Sequence, residues 1–282
     1  MADPEVEIPQ DRQPERSGSV RTIKSEPTSS PEPTSFASRA WSHMLEPVRP
    51  SGFAEFELLL LTFCTGIQDA ISFPDYHCFA SNQTGNTVFL MLAVVLPHLN
   101  GEVFITANIG AALGFFLLGG WATGQASHLV GPRVRLWLVA CNFLQSCLVF
   151  AAAALQYVHG ANFDGAGDAV VVVALLAFAS GSQVVQSRSL QMTEISTAMA
   201  TAAWMDLMID PGLFKLRNRP RTRRVMFLAM LVLGSLAGAA IYRSAGSWVA
   251  ILVSAAGKML VTGMYLFNST DKPKSNEGQE AC

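Results

Sequence analysis

The chain has 282 residues, of which 50% are hydrophobic and only 14% are charged, with a formal net charge of −2. Soluble domains carry about 25% charged residues, so this composition excludes an ordinary soluble domain. No basic patch interleaved with aromatic residues indicates a nucleic-acid partner. We therefore expect an integral membrane protein, an all-α polytopic bundle in a lipid bilayer.

The first 52 residues contrast with the rest of the chain. They contain eight of the fourteen prolines, together with mixed charges and many serines and threonines. They lack the apolar core of a signal peptide. Such a composition cannot bury enough apolar surface to fold alone, so we expect 1–52 to be a disordered cytoplasmic tail. The last residues, 268–282, are a short polar tail.

Eight apolar segments follow one another between the two tails. They are 53–73, 79–96, 104–126, 134–157, 169–187, 195–209, 225–242 and 248–267. A helix needs about 20 apolar residues to cross a bilayer. The sixth segment is short, and the second is polar over its first half, so each could enter the membrane without crossing it. The sequence therefore predicts six to eight spans.

The apolar region contains an internal repeat. LLTFCTGIQ at 60–68 recurs about 115 residues later as LLAFASGSQ at 175–183. The same offset pairs Ser72 with Ser187 and Gly119 with Gly234. We interpret 53–157 as membrane repeat 1 and 168–267 as membrane repeat 2. From four crossings in each we expect the two repeats to superpose in the same orientation, whereas three crossings would invert one relative to the other.

The distribution of Lys and Arg predicts the orientation. The loop 215–224 has six positive residues and should be cytoplasmic. With eight spans both termini are cytoplasmic too, but Arg133 and Arg135 then fall on the opposite face, which counts against eight. The same loop is a candidate site for anionic lipid headgroups. Its arginines are Arg217, Arg219, Arg221, Arg223 and Arg224.

Small residues spaced four apart occur in the third and seventh segments. Such spacing is typical of helices whose backbones approach closely. The predicted packing residues are Gly110, Gly114, Gly120, Gly124, Gly234 and Gly238. Because the two segments are repeat mates, we expect them to contact each other.

A polar stripe runs along one face of the first segment. At helical spacing it carries Thr62, Thr65, Gly66, Asp69 and Ser72. Lipid cannot satisfy polar groups, so this face should line the bundle interior or a watery cavity. The alternative is that Asp69 lies at the membrane interface and only caps structure.

The second segment opens with NQTGNT at 82–87. Amides and hydroxyls offer both donors and acceptors, and glycine permits a break in a helix. The run therefore favours a broken helix lining a site, with an interfacial loop as the alternative.

These motifs resemble a known family. GIQDA at 66–70, followed by Phe79 and SNQTGN at 81–86, is similar to the YoaK-type family of uncharacterised multi-span membrane proteins, marked by G-x-x-D-A and then T-G-N. The resemblance covers about residues 53–268, and the proline-rich tail outside it is typical of a fungal-type member. It implies membrane residence and fold, but no reaction or substrate.

Two further charges lie in apolar segments, Asp206 in the sixth and Lys258 in the eighth. A lone charge at the bilayer centre costs about 2.5–3.5 kcal/mol, so we expect Lys258 to pair with Asp69 or Asp206. The candidate substrate-binding residues are Gln68, Asp69, Asn82, Thr84, Gly85, Asn86, Asp206 and Lys258.

No enzyme motif is present, and neither the cysteines nor the histidines have metal-site spacing. We expect no catalytic activity, no cofactor and no bound metal. Duplication and intramembrane polar groups favour a transporter or permease of a small solute, proton-coupled through Asp69. The alternative is a non-transporting membrane scaffold or partner subunit. Transport requires a polar cavity between the halves, whereas a scaffold requires a dry interior and an exposed small-residue face.

Overall fold

The computed structural model describes residues 36–159, 166–215 and 217–271. The predicted disordered tail lies outside the described residues up to 35, as does the polar tail beyond 271. Within the described ranges the fold is all α-helical without strands, as predicted. The helices are α1 (Phe36–Leu45), α2 (Gly52–Tyr76), α3 (Gln83–Val95), α4 (Thr106–Val130), α5 (Arg135–His159), α6 (Ala166–Ser189), α7 (Ala200–Met208), α8 (Arg219–Ala245) and α9 (Ser247–Met264).

Six helices in the described ranges are long and apolar enough to cross a membrane: α2, α4, α5, α6, α8 and α9. The two others in the apolar region are shorter, with 13 residues in α3 and 9 in α7. At 1.5 Å per residue they reach only about 20 Å and 14 Å, against a hydrocarbon core of about 30 Å. Segments two and six therefore do not cross.

Contacts between helix ends define two faces of the bundle. On the basic face, Arg219 and Arg223 at the start of α8 each lie 2.5 Å from the Glu55 carboxylate at the start of α2. On the distal face, the Asn108 side chain at the start of α4 donates to the Tyr76 carbonyl at the end of α2, at 2.8 Å. Helices α2, α5 and α8 thus run from the basic to the distal face, and α4, α6 and α9 return.

The two halves of the chain consequently begin with helices of opposite direction, α2 and α6. The prediction of equal orientation is wrong, because each half crosses three times and not four. This arrangement also places Arg133 and Arg135 on the same face as the loop 215–224. For example, the Val48 N–H beside the start of α2 donates to the Arg133 carbonyl at 2.8 Å. Arg133 and Arg135 therefore no longer count against the predicted orientation.

A buried side chain at the basic face, that of Arg135, joins three segments of the chain. Its guanidinium is fully buried and donates to the carbonyls of Tyr265 at 3.2 Å, His43 at 2.5 Å and Asn268 at 2.6 Å. Since these carbonyls belong to α1 and to the residues that follow α9, Arg135 ties both ends of the described chain to the start of α5.

Each half packs its second long helix against the first long helix of the other half. The principal close pairs are α2 with α8 and α4 with α6. Glycines permit both approaches: a Cβ added at Gly66 would lie 2.5 Å from the Leu231 carbonyl oxygen, and one added at Gly181 would collide with the Phe116 carbonyl. Helices α4 and α8 are therefore not principal partners, contrary to the expectation that these repeat mates pack together.

The predicted packing glycines divide into two groups. Gly234 and Gly238 lie against α2, where a Cβ at Gly238 would be 2.8 Å from Ile67 Cα. A Cβ at Gly120 would have ordinary contacts at 3.7 Å with α6. A Cβ at Gly110, Gly114 or Gly124 would meet nothing within 4 Å, so these three do not pack within the chain, contrary to prediction. They lie on the outer face of α4.

Candidate substrate cavity between α3 and α7

The chain turns back into the membrane after α2. His77 ends α2 in a left-handed conformation with φ 51°. The returning loop is then fixed to Asp69, whose carboxylate accepts the Ser81 N–H at 2.9 Å and the Ser81 hydroxyl at 2.5 Å. Because Asp69 lies about two turns before the end of α2, α3 begins about 10 Å inside the distal end of that helix.

The TGN part of the motif builds this turn. The Asn86 side chain is fully buried, accepts the Phe79 N–H at 2.9 Å and donates to the Phe79 carbonyl at 2.7 Å. A Cβ at Gly85 would be 3.0 Å from the Phe79 ring, so glycine allows the ring to pack on the first turn of α3. Asn82 accepts the Gly85 N–H at 3.5 Å and caps α3. Asn86 and Gly85 therefore hold the turn and do not line the cavity.

A cavity of about 410 Å³ lies where α3 begins, and we call it the central cavity. Its wall includes Asp69 and the residues 81–84 from the first half, and the residues 198–202 at the start of α7 from the second. Phe116 and Leu231, near the middles of α4 and α8, complete it, so the cavity lies at mid-depth in the bundle. The two short helices thus enter from opposite faces and both begin at the central cavity.

Lys258 and Gln68 lie away from this cavity, in a buried polar network. The Lys258 ammonium donates to the Gln183 side-chain oxygen, and the Gln68 amide donates to the Ser254 hydroxyl at 2.9 Å. Across the described ranges no carboxylate oxygen lies within 4 Å of the Lys258 ammonium. The predicted ion pair is therefore wrong: Asp69 bonds to Ser81, and Asp206 pairs with Arg224 at 3.6 Å. Helix rotation turns Lys258 towards α6, and Asp206 lies near the basic face.

The chain matches the family model described as "Protein of unknown function (DUF1275)" over residues 58–264. It belongs to this family. No curated protein and no solved structure matches the chain. The description of this family names no substrate and no reaction. The finer likeness to a YoaK-type, fungal-type member stays a prediction.

In this DUF1275 protein, sequence reasoning missed the half of the cavity wall contributed by α7. Ala198 and Met199 are apolar and carry no chemical signal of their own. The repeat offset would have found them, because about 115 residues separate them from Gln83 and Thr84. The same offset relates Phe116 to Leu231 on the remaining walls.

The arginines predicted to bind lipid are largely engaged within this DUF1275 chain. Arg219 and Arg223 contact Glu55, Arg221 donates to the Leu213 carbonyl at 2.6 Å, and Arg224 lies 3.8 Å from Asp210. The Gly212 N–H, together with Arg224, lowers the pKa of Asp210 below its usual range. The side chain of Arg217 is exposed. These pairings leave less positive charge for a headgroup, and lipid binding at this loop stays a prediction.

Proposed function

We propose that this protein transports a small polar solute across its membrane and couples that movement to a proton on Asp69. The observation that carries the proposal is the central cavity. Its volume of about 410 Å³ is that of a small-molecule site. It lies at mid-depth between the halves and combines the Asp69 carboxyl group and the amide and hydroxyl groups of residues 81–84 with residues 198–202 at the start of α7.

Physical chemistry favours a transport role for such interrupted helices. Irregular backbone at membrane depth is tolerated only where protein buries it or where it lines a watery cavity. Inverted repeats with discontinuous helices at the midplane are a common plan of secondary transporters. Here the breaks before α3 and α7 both open on the central cavity, which supports solute binding at that place.

Asp69 is the proposed proton carrier because it is the acidic side chain of the cavity wall. Ionisable groups inside a membrane commonly belong to ion or proton pathways. Among the described residues, no Lys, Arg or His nitrogen lies within 4 Å of its carboxylate, so proton binding would neutralise it without breaking an ion pair. Substrate binding and protonation would then both take place at the wall of the central cavity that includes Asp69.

The second candidate function is a membrane scaffold or partner subunit. It is favoured by the outward-facing Gly110, Gly114 and Gly124 of α4, which leave a flat strip free for another helix. This proposal predicts lateral association that Gly114→Trp abolishes, and it needs no cavity.

The test of transport uses proteoliposomes that contain the pH-sensitive dye pyranine. Inward gradients of amino acids, small carboxylates, nucleobases and polyols are applied one at a time. We expect at least one solute class to acidify the lumen with the native protein and not with Asp69→Asn, which preserves shape and can still accept the Ser81 N–H. Glu102→Gln, at an exposed acidic residue outside the cavity, is the matched control. Failure of every class, or equal signals from Asp69→Asn, would contradict the proposal.

A further inference from the structure

Three cavities follow one another along α7 from the basic face to the centre of the bundle. The outermost, about 380 Å³, lies against Asp210 and Asn218. The next, about 340 Å³, which we call the vestibule, shares Asp206 and Arg224 with it. The vestibule in turn shares Met199 and Ala202 with the central cavity. Neighbouring cavities in this row thus share lining residues and are separated by single side chains.

Met199 stands at the inner boundary of the vestibule. Its sulfur lies 3.4 Å from the Arg188 guanidinium, and its backbone N–H donates to the Ser196 hydroxyl at 3.1 Å. Methionine is flexible and changes rotamer readily. The Arg188 contact is a weak one through sulfur, so a side chain of this kind can move aside without breaking a strong hydrogen bond.

The distal side of the central cavity is built differently, from four phenylalanines in contact. The ring centroids lie 5.1 Å apart for Phe73 and Phe79, 5.9 Å for Phe73 and Phe89, and 6.2 Å for Phe89 and Phe104. Such spacings are those of favourable aromatic pairs. We call this group the aromatic stack; it covers the first turn of α3, where Phe79 packs on Gly85.

The contrast between the two sides is sharpest at corresponding positions of the repeat. About 115 residues after Phe73 and Phe79 stand Arg188 and Glu194. Both line the vestibule. The same place in the fold is therefore apolar and filled with rings on the distal side, and charged and hollow on the basic side.

The geometry points to a one-sided route: the central cavity is reached from the basic face through the vestibule and past Met199, while the aromatic stack closes the distal path. This inference rests on the proposed function for its biological meaning, since it identifies the open and closed gates of a transport cycle. The sidedness itself can be measured without any substrate.

The test uses the full chain with its five native cysteines replaced and Thr84→Cys placed in the central cavity wall. A charged, membrane-impermeant methanethiosulfonate reagent is added to vesicles of either orientation. We expect modification several-fold faster from the basic face than from the distal face. Equal rates, faster distal modification or no modification from either face would overturn the route.

Two substitutions separate the gates. Met199→Trp should slow modification from the basic face several-fold, whereas Met205→Trp, at an exposed position within α7 that does not line the vestibule or the central cavity, should not. Phe89→Ala should raise the distal rate several-fold, whereas Phe143→Ala, on the exposed side of α5, should leave it unchanged. If neither Met199→Trp nor Phe89→Ala changes the rate of cysteine modification, the assignment of the gates is wrong.

These outcomes are distinguishable from failure of the proposed function. If modification follows the expected sidedness while no solute moves protons, the route stands and transport is wrong. If a solute moves protons but Thr84→Cys reacts from the distal face, the route is wrong and transport stands.

Discussion

Individual residues of the polar motif serve two different purposes. Asp69, Asn82 and Thr84 line the central cavity, whereas Asn86 and Gly85 fold the chain back beside it. A motif of this kind is needed because a turn inside a membrane must satisfy its own backbone groups. Asn86 does so for Phe79 through one acceptor and one donor.

Asn86→Ala should destabilise the protein, because Asn86 holds the turn and also donates to the side chain of the wall residue Gln83 at 2.9 Å. It leaves the Phe79 N–H and carbonyl without partners, which costs about 1–3 kcal/mol for each buried group. Thermal unfolding in detergent measures the effect. Thr87→Ala is the control, because Thr87 is exposed and its hydroxyl bonds only within α3. Equal melting of the two variants would show that Asn86 does not hold the turn.

Lys258 should be coupled energetically to Gln183 and not to either aspartate. Lys258→Met leaves the Gln183 oxygen without its donor, and Gln183→Leu relieves that deficit, so the double variant should be more stable than the sum of the single effects implies. A coupling of about 0.5–3 kcal/mol is typical of residues in contact. Double-mutant cycles with Asp69→Asn and Asp206→Asn serve as controls and should be additive. Coupling to an aspartate would contradict the observed contact.

The sequence identifies which residues are polar within the membrane, but not which of these residues contact each other. Asp69 and the run 82–87 stand out because lipid cannot satisfy them. The partner of Lys258 was mispredicted because it depends on helix rotation, which two isolated charges do not fix. The cavity-lining Ala198 and Met199 carry no polar signal at all.

At the scale of elements, length decides which helices cross. The segments 79–96 and 195–209 are apolar enough to resemble spans, yet α3 and α7 within them are too short. The polar start of the first and the small size of the second were visible in the sequence. The sequence did not show that both segments return without crossing, because an apolar segment can end in a loop that folds the chain back onto its own half.

Close helix packing should depend on Gly234 and not on Gly110. A Cβ at Gly234 would collide with the Phe63 carbonyl, whereas one at Gly110 meets open space. We expect Gly234→Ala to destabilise by about 1–3 kcal/mol through overpacking. Gly110→Ala should be neutral or stabilise by up to about 1 kcal/mol, the gain in helix propensity. Unfolding of both variants in detergent checks this, and the reverse order would contradict the packing described.

The two glycine groups show a limit of pattern reasoning. Spacing of four identifies a flat helix face but not what covers it, and α4 carries such residues on more than one face. Gly119, outside the predicted set, lies at the contact with α6, while Gly114 faces outward.

For the whole molecule, the sequence repeat has a counterpart in reciprocal contacts. Gly66 of α2 meets Leu231 of α8, and about 115 residues along from Gly66, Gly181 of α6 meets Phe116 of α4. Exchanging the halves therefore reproduces the contact. A duplicated unit in opposite orientations would produce this exchange of contacts, and the duplication itself stays a prediction.

The charge distribution agrees with six spans. Arg133, Arg135, Arg188 and the loop 215–224 all lie on the basic face, which we expect to be cytoplasmic. With eight spans the loops at Glu102 and Pro132 would each lie on the opposite side.

Sided labelling of three cysteines tests this arrangement most directly. In a chain without native cysteines, Glu102→Cys, Pro132→Cys and Arg217→Cys are exposed in turn to an impermeant maleimide on intact and opened cells. We expect Glu102→Cys to react in intact cells and the other two only after opening. Labelling of Pro132→Cys in intact cells, with Glu102→Cys protected until opening, would establish eight spans and contradict the inverted halves and the cavity built between them.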